Sequence, residues 1–435
     1  MLPVRSHYDT TSLFRLFSVW KMKLPTITTI AATASLISSV SASSSSSSSS
    51  PDTTPDYNTC GLLPFDNPFL LGSEDVQEWK DGLFFVSAGY AYPTGLGFTG
   101  SVYGLKLDEE GKDTPKLEEL PIVNLPPELY FRPHGLYIEG NRLFIISHND
   151  NGDDVDDNNE ENVVVFDIIE GEDDELPELV FVVAFKSEQW AGPYESALVP
   201  DLEFPLTGEL TWFLNDIVVV DGDEFLVAQM GPTNFLNPVD PAGPVTVPKT
   251  LWSCKFDEEL LEGSSSSAEG SAVAVSIGCE SIDIPGNVGL NGIAVNDDKD
   301  TIWVNDQLNR RLVEINRNES GEYSVNNDGE ILFGALIDNV QYVDGALVAG
   351  VINGVFPPEC SPEEFRGGYL RIPEGTTDAS LVYELDSTFL ADVAAEAVPF
   401  VGAPVPFLVS SAVPFGNNLI FGSFTYAGVV VCSEV

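Results

Sequence analysis

His134 and His148 are two of only three histidines in the chain, and they flank a short apolar stretch, FRPHGLYIEGNRLFIISHND. An imidazole has an unperturbed pKa of about 6.5, so it can take a proton from water near neutral pH. Leu136-Tyr137-Ile138 and Leu143-Phe144-Ile145-Ile146 read as two strands, with Glu139-Gly140-Asn141-Arg142 as the turn between them. Folding that hairpin brings His134 nearly opposite His148, where facing Cβ atoms lie about 5 Å apart. The two imidazoles then meet at the open end of a hairpin. The plainer alternative is a pair of solvated polar residues at strand ends. His7 lies far upstream, in a targeting segment.

Oxygen ligands stand where His134 stands when the unit is traced along the chain. Its copies are SEDVQEWKDGLFFVSAG from Ser73, PHGLYIEGNRLFIISHN from Pro133 and LNDIVVVDGDEFLVAQM from Leu214. LNGIAVNDDKDTIWVND from Leu290, IDNVQYVDGALVAGVIN from Ile337 and SSAVPFGNNLIFGSFTY from Ser410 follow. Two places before the first apolar residue they carry Glu74, His134, Asn215, Asn291, Asp338 and Ser411. One such residue alone is usually a turn or strand-end cap. A set at one repeat position is better explained as a shared site. Glu74, Asn215, Asn291 and Asp338, with Asn339 next door, supply hard oxygens, the donors Ca²⁺ prefers. Zinc or copper would want more His or Cys. Asp75 and Asp216 come one residue later and are candidates for a second calcium, or for structural salt links.

These residues need an element that brings one position of every copy to one place. The copies are spaced about 45 to 80 residues apart, as four-stranded propeller blades with variable outer loops are. Between them lie further β-rich runs at Ser101 to Leu107, Asn162 to Ile168, Pro248 to Phe256 and Arg311 to Asn316. The 30 Pro and 37 Gly fit many turns, and long helical periodicity is absent. The expected fold is all-β, a six-bladed β-propeller whose innermost strands line a central channel, with a calcium site on the axis and with N- and C-terminal strands closing the ring. A β-sandwich offers no reason for the repeated polar position.

The chain has 435 residues, 43% of them hydrophobic, which is ample for a large core. Its formal charge of −49 repels phosphate backbones and anionic lipid and suits divalent cations. Nucleic acid is therefore not an expected partner. Lys23 precedes an apolar run, Leu24 to Val40, ending in small residues, which reads as a signal segment over 1–42 starting at Met1 or Met22. A Ser-rich linker, 43–59, follows, and the folded part is expected over 60–435 of a secreted protein. Of the five cysteines, Cys60 and Cys432 sit at the two ends of that part, Cys254 and Cys279 are a second candidate pair, and Cys360 is left over. Sequence alone leaves their connectivity open. Asn318-Glu319-Ser320 is a glycosylation sequon in a polar turn. The acidic run Asn149 to Asn162 lacks the spacing of a calcium-binding helix-loop-helix and reads as a solvated insertion. Gly95-Leu96-Gly97-Phe98-Thr99-Gly100 matches a dinucleotide fingerprint without a βαβ context and reads as a loop.

The motifs GSEDVQEWKDGLFFVSAGYAYP, PHGLYI, LNDIVVV, LNGIAV and LIDNV, in this order, resemble those of the paraoxonase family of calcium-dependent lactonases and arylesterases. The resemblance spans Cys60 to Val435 and includes the terminal cysteines. It implies a propeller with two axial calciums. A catalytic calcium would be held by Glu74, Asn215, Asn291, Asp338 and Asn339. A structural calcium would be held by Asp75, Asp216 and the backbone carbonyl of Leu136. The family's histidine dyad falls on His134 and His148. The implied activity is hydrolysis of lactones and aryl esters, with a carboxylate such as Glu74 or Asp338 as an alternative base. The loop after the third copy, AQMGPTNFLNP, lacks the histidine-containing stretch of vertebrate members. Two other readings remain: a gluconolactonase- or strictosidine-synthase-like propeller hydrolase with one axial metal or none, and a non-catalytic, calcium-stabilised binding propeller.

Overall fold

A computed structural model describes residues 57–434. Excepted are 68–69, 71, 81, 90–98, 109–113, 150–159, 172–174, 191–212, 231–249, 263–273, 288, 334–335, 354–365, 377–379, 386–388, 390–407 and 425. The targeting segment, nearly all of the Ser-rich linker, Cys360, Gly95 to Phe98, the middle of the acidic run and the loop from Gly231 onward thus lie outside the described residues.

Each apolar–turn–apolar copy folds as an antiparallel hairpin that opens one sheet. The six first strands are Val76–Lys80, Pro133–Glu139, Phe213–Asp221, Leu290–Val295, Leu336–Val343 and Val409–Phe415. Each lies at one edge of its own sheet, and the following strands add outward in order. Every first strand touches the next, and the sixth returns to the first, so the six sheets form the ring of a six-bladed propeller. Among the described residues, five sheets have four strands. The second has six, extended by Ile122–Val123 and Val275–Ser276 paired in parallel. The last blade is completed by Tyr57–Pro64, which pairs antiparallel with Gly428–Glu434. A disulfide joins Cys60 to Cys432, facing residues in that closing pair. A second joins Cys254 to Cys279, again facing residues of neighbouring strands. Among the described residues, helix is limited to Glu259–Glu262, a 3₁₀ turn at Gln307–Asn309 and the single residue Phe389. No helix there is long and apolar enough to cross a membrane.

The sheet faces explain the stability of the ring. Strand side chains alternate between two faces, and in a propeller each face packs on a neighbouring blade. The apolar core accordingly divides into six clusters, one at each blade–blade contact. Between the second and third blades, for example, Phe144, Val163 and Phe185 pack on Leu214, Ile217 and Phe225. Between the sixth and first, Val413, Ile420 and Val431 pack on Val76, Val86 and Leu105.

One irregularity recurs and positions the site. In five blades the pairing of the first two strands shifts register at the repeated polar position: between Pro133 and Leu136, Leu214 and Asp216, Leu290 and Ile293, Ile337 and Val340, and Val409 and Ala412. A β-bulge frees a residue from the ladder and re-aims its side chain. His134, Asn215, Asn291, Asp338 and Ser411 all occupy such bulges, while Glu74 lies just before its strand. Gly135 and Gly292 follow two of them. A Cβ at Gly135 would collide with the Asn215 carbonyl and Asp216, and one at Gly292 with Val340 and Asn339 of the next blade. Gly135→Ala should therefore destabilise the protein by about 1–3 kcal/mol, an overpacking cost readable as a lower denaturant midpoint at unchanged m-value. An unchanged midpoint would show that the neighbouring blade yields freely.

Candidate active site

The bulges send the repeated polar side chains to the propeller axis, where they are nearly inaccessible to solvent. Glu74 is 2% exposed, His134 1%, Asn215 3%, Asn291 2%, Asp338 4% and Asn339 1%. His134 Nε2 lies 3.1 Å from Glu74 Oε1 and 3.3 Å from Asn215 Nδ2. Asn339 Nδ2 donates to both the backbone oxygen and Oε2 of Glu74, each at 3.0 Å. Asn291 hydrogen-bonds Asp338, and Gln307 Nε2 reaches Asp338 Oδ1 at 3.4 Å. Asn305 Nδ2 donates to the Ile337 and Asp338 carbonyls and so fixes that bulge.

The two histidines meet as the hairpin requires. His134 Nδ1 is 2.6 Å from His148 Nε2. His148 Nδ1 is 2.7 Å from Glu161 Oε2, and Leu214 N–H also donates to that oxygen at 3.4 Å. Its place at the end of the acidic run makes Glu161 look like part of a solvated insertion. It is instead 9% exposed, on the strand Glu160–Ile169, facing His148 in register. This pairing of Glu161 with His148 is not revealed by the composition of the run. A carboxylate only accepts, so His148 Nδ1 donates to Glu161. In the neutral pair His148 Nε2 then accepts from His134 Nδ1, leaving a lone pair on His134 Nε2 toward the axis. Burial, with the neighbouring His148 as a second cause, holds the His134 imidazole well below its ordinary pKa, so it is neutral near pH 7. Glu161→Gln presents an amide where the acceptor stood. It should reduce turnover about tenfold or more with no change in melting temperature. Equal turnover in that variant would remove Glu161 from the relay.

The residue after each repeated polar position reads Asp75, Gly135, Asp216, Gly292, Asn339 and Ala412 around the ring. The two aspartates clasp the following blade. Asp75 Oδ2 accepts from Leu136 N–H at 3.0 Å and Asp216 Oδ2 from Ile293 N–H at 2.8 Å. Their Oδ1 atoms accept from Val76 and Ile217, and Gln341 Nε2 adds a bond to Asp75 Oδ1. Leu136 thus meets Asp75 through its N–H.

The buried carboxylates repel one another. Burial pushes Glu74 up to about 8, opposed by its Asn339 bond and the nearby His148. Burial and then Glu74 push Asp75 up to about 7. Burial lifts Asp216 and Asp338 well above the carboxylate range, with Asp75 and Glu74 the respective next causes. No three His, Cys, Asp or Glu among the described residues form a metal-binding group by themselves. The donors that complete the set are amides. Asn215 Oδ1, Asn291 Oδ1 and Asn339 Oδ1 are buried without any hydrogen-bond partner, while the amide nitrogens of Asn215 and Asn339 are engaged. Each orphaned oxygen costs about 1–3 kcal/mol. Three unpaired oxygens beside Glu74 and Asp338 fit a hard divalent cation, which would both coordinate the oxygens and offset the carboxylate charge. Ser411 Oγ, the sixth repeated position, is likewise buried without a partner.

The fold and site define a six-bladed propeller with an acidic, amide-rich axial centre and a histidine pair on one wall. No family model and no curated protein matches the sequence. Among solved structures, the chain is similar to a periplasmic gluconolactonase of Pseudomonas aeruginosa at 10% identity and a TM-score of 0.41, covering 81% of this chain and 86% of that one. It is similar to a luciferin-regenerating enzyme at 10% identity and a TM-score of 0.40, covering 86% and 96%. It is also similar to a virginiamycin B lyase of Staphylococcus aureus at 9% identity and a TM-score of 0.39, covering 87% and 99%. Likenesses this distant carry no argument about activity, and none of these results singles out the paraoxonase family. The fold assignment rests on the sheets and their closure.

Proposed function

We propose that the protein is a secreted, calcium-dependent hydrolase of small lactones or aryl esters. The observation that carries this reading is the meeting of a neutral histidine's acceptor nitrogen, 3.1 Å from Glu74 and 3.3 Å from the Asn215 amide, with a set of partnerless buried oxygens. Glu74, Asn215, Asn291, Asp338 and Asn339 would hold the calcium. When bound, calcium supplies a Lewis acid that polarises the substrate carbonyl and stabilises negative charge on its oxygen. His134 Nε2 takes a proton from the attacking water, and the hydroxide adds to the carbonyl carbon. The Nδ1 proton of His134 passes to His148 Nε2, and Glu161 stabilises the imidazolium so formed. The proton returns along the same path to the leaving alkoxide as the ester bond breaks.

One observation favours a single axial metal, as in a gluconolactonase-like hydrolase. Asp75 and Asp216 already accept backbone N–H bonds on both carboxylate oxygens, whereas the first set leaves amide oxygens unpaired. Counting calciums in the purified protein separates one site from two. Two disulfides fit an oxidising compartment and hence secretion. The deciding experiment is hydrolysis of aliphatic lactones, sugar-acid lactones and phenyl acetate with calcium and then with chelator. Calcium-dependent turnover is expected. No turnover in a protein that binds calcium and melts higher with it would leave the non-catalytic propeller as the better account.

A further inference from the structure

The axis has a second open end, away from His134. There the first strands of the blades turn back on themselves and surround a cavity of 410 Å³. That is within the usual range of small-molecule pockets, about 300–1,000 Å³. The hydrolytic reading uses none of its lining. Gln77 and Gln341 line its inner end. Gln341 Nε2 donates to Asp75 Oδ1 at 3.0 Å and to the Val76 carbonyl at 2.6 Å, and Gln77 Oε1 accepts from Ile138 N–H at 3.2 Å. These bonds lay a tied polar layer between the cavity and the residues around His134.

The walls are apolar and aromatic: Val218, Ile293, Val295 and Val413, with Tyr137 and Tyr342. One face of Tyr342 stacks on Trp303 at 5.7 Å, nearly parallel. The rim is acidic, with Glu78, Glu139 and Asp297 against one cation, Lys299. Lys299 Nζ lies 2.7 Å from Glu139 Oε1, so three carboxylates and one ammonium leave two negative charges in excess. Asp297 stands close to both tyrosines. Burial, then Glu139 and Asp297, push the Tyr137 hydroxyl up. Desolvation and Glu374, then Asp297 and Asp298, push that of Tyr342 up to about 12.

We propose that this far chamber is a second binding site, for a small organic cation with an apolar body. The valine and tyrosine surfaces give a bare hydrated ion nothing to bind, whereas an organic cation can bury an alkyl or aryl body against them. The excess negative charge excludes an anion. An alkylammonium satisfies both features, with its charge toward Asp297 and Glu78 and its alkyl or aryl part against the valines. Tyrosine faces attract such cations by about 0.5–1 kcal/mol at exposed sites. The inference is independent of the hydrolytic reading.

The test is calorimetric titration of the whole mature protein, in saturating calcium, with benzyltrimethylammonium and with the uncharged analogue 2,2-dimethyl-3-phenylpropan-1-ol. The expected result is saturable one-to-one binding of the cation and at least about tenfold weaker binding of the alcohol, given the charge it lacks. Tyr342→Ala should weaken the cation about two- to fivefold. Asp297→Asn, an exposed turn substitution with little risk to folding, should weaken it by a similar factor. Melting curves check that both variants fold. The proposal is overturned by no saturable binding, by equal affinity for the alcohol, or by affinities unchanged in both variants. Displacement of the probe by calcium would also overturn it, because the probe would then sit among the axial carboxylates.

Discussion

His134→Gln should lower hydrolytic turnover by about 100- to 10,000-fold, the usual contribution of a positioned general base. Glutamine fills similar space and keeps hydrogen bonds to its neighbours, so the melting temperature and the calcium stoichiometry should not change. The expected loss follows from the geometry. Only Nε2 of His134 presents a lone pair toward Glu74 and the Asn215 amide, because Nδ1 is committed to His148 and His148 to Glu161. Turnover within a few-fold of the native protein's, with the fold intact, would assign the base to another group, and Glu74 would be the first to test. His148→Gln should cost less, since it leaves Nε2 of His134 in place and removes only the onward proton path.

Stripping calcium should lower the melting temperature, and the drop should grow from pH 5 to pH 8. Without a cation, Glu74 is pushed from 4.5 up to about 8 and Asp75 from 3.8 up to about 7 by burial. A carboxyl whose folded pKa exceeds its unfolded value binds more protons folded than unfolded. Its contribution is fully present below the unfolded value and is lost as pH rises through the folded value. The chelated protein should therefore be most stable near pH 4–5 and weaken steadily to about pH 8, with Asp216 and Asp338 acting in the same direction. Calcium favours the ionised carboxylates, so its addition should flatten or reverse that slope. At a free concentration about 100 times its Kd, a ligand of the folded state adds about 2.7 kcal/mol. Parallel melting profiles with and without chelator across this range would remove the cation from the axis.

Fold class and the cast of the candidate site are both readable in the order of the residues. A six-fold apolar–turn–apolar unit has no stable form unless its copies pack on one another, and a polar residue at one fixed place in each unit then arrives at one locus. His134, Asn215, Asn291 and Asp338 were legible on those grounds, and the facing of His134 and His148 followed from local hairpin geometry. Tertiary structure alone decided the rest. The register shifts that turn those side chains to the axis are properties of strand pairing, which alternation of apolar residues does not encode. The clasp of Asp75 on Leu136 and of Asp216 on Ile293 joins residues of different blades, so no local pattern marks it. Both disulfides follow from strands that become neighbours only when the sheets form. Glu161 was hidden most completely. Its acidic neighbours make it look like solvent-facing chain, and only the return of its strand beside His148 buries it and turns a charge run into the anchor of a proton path.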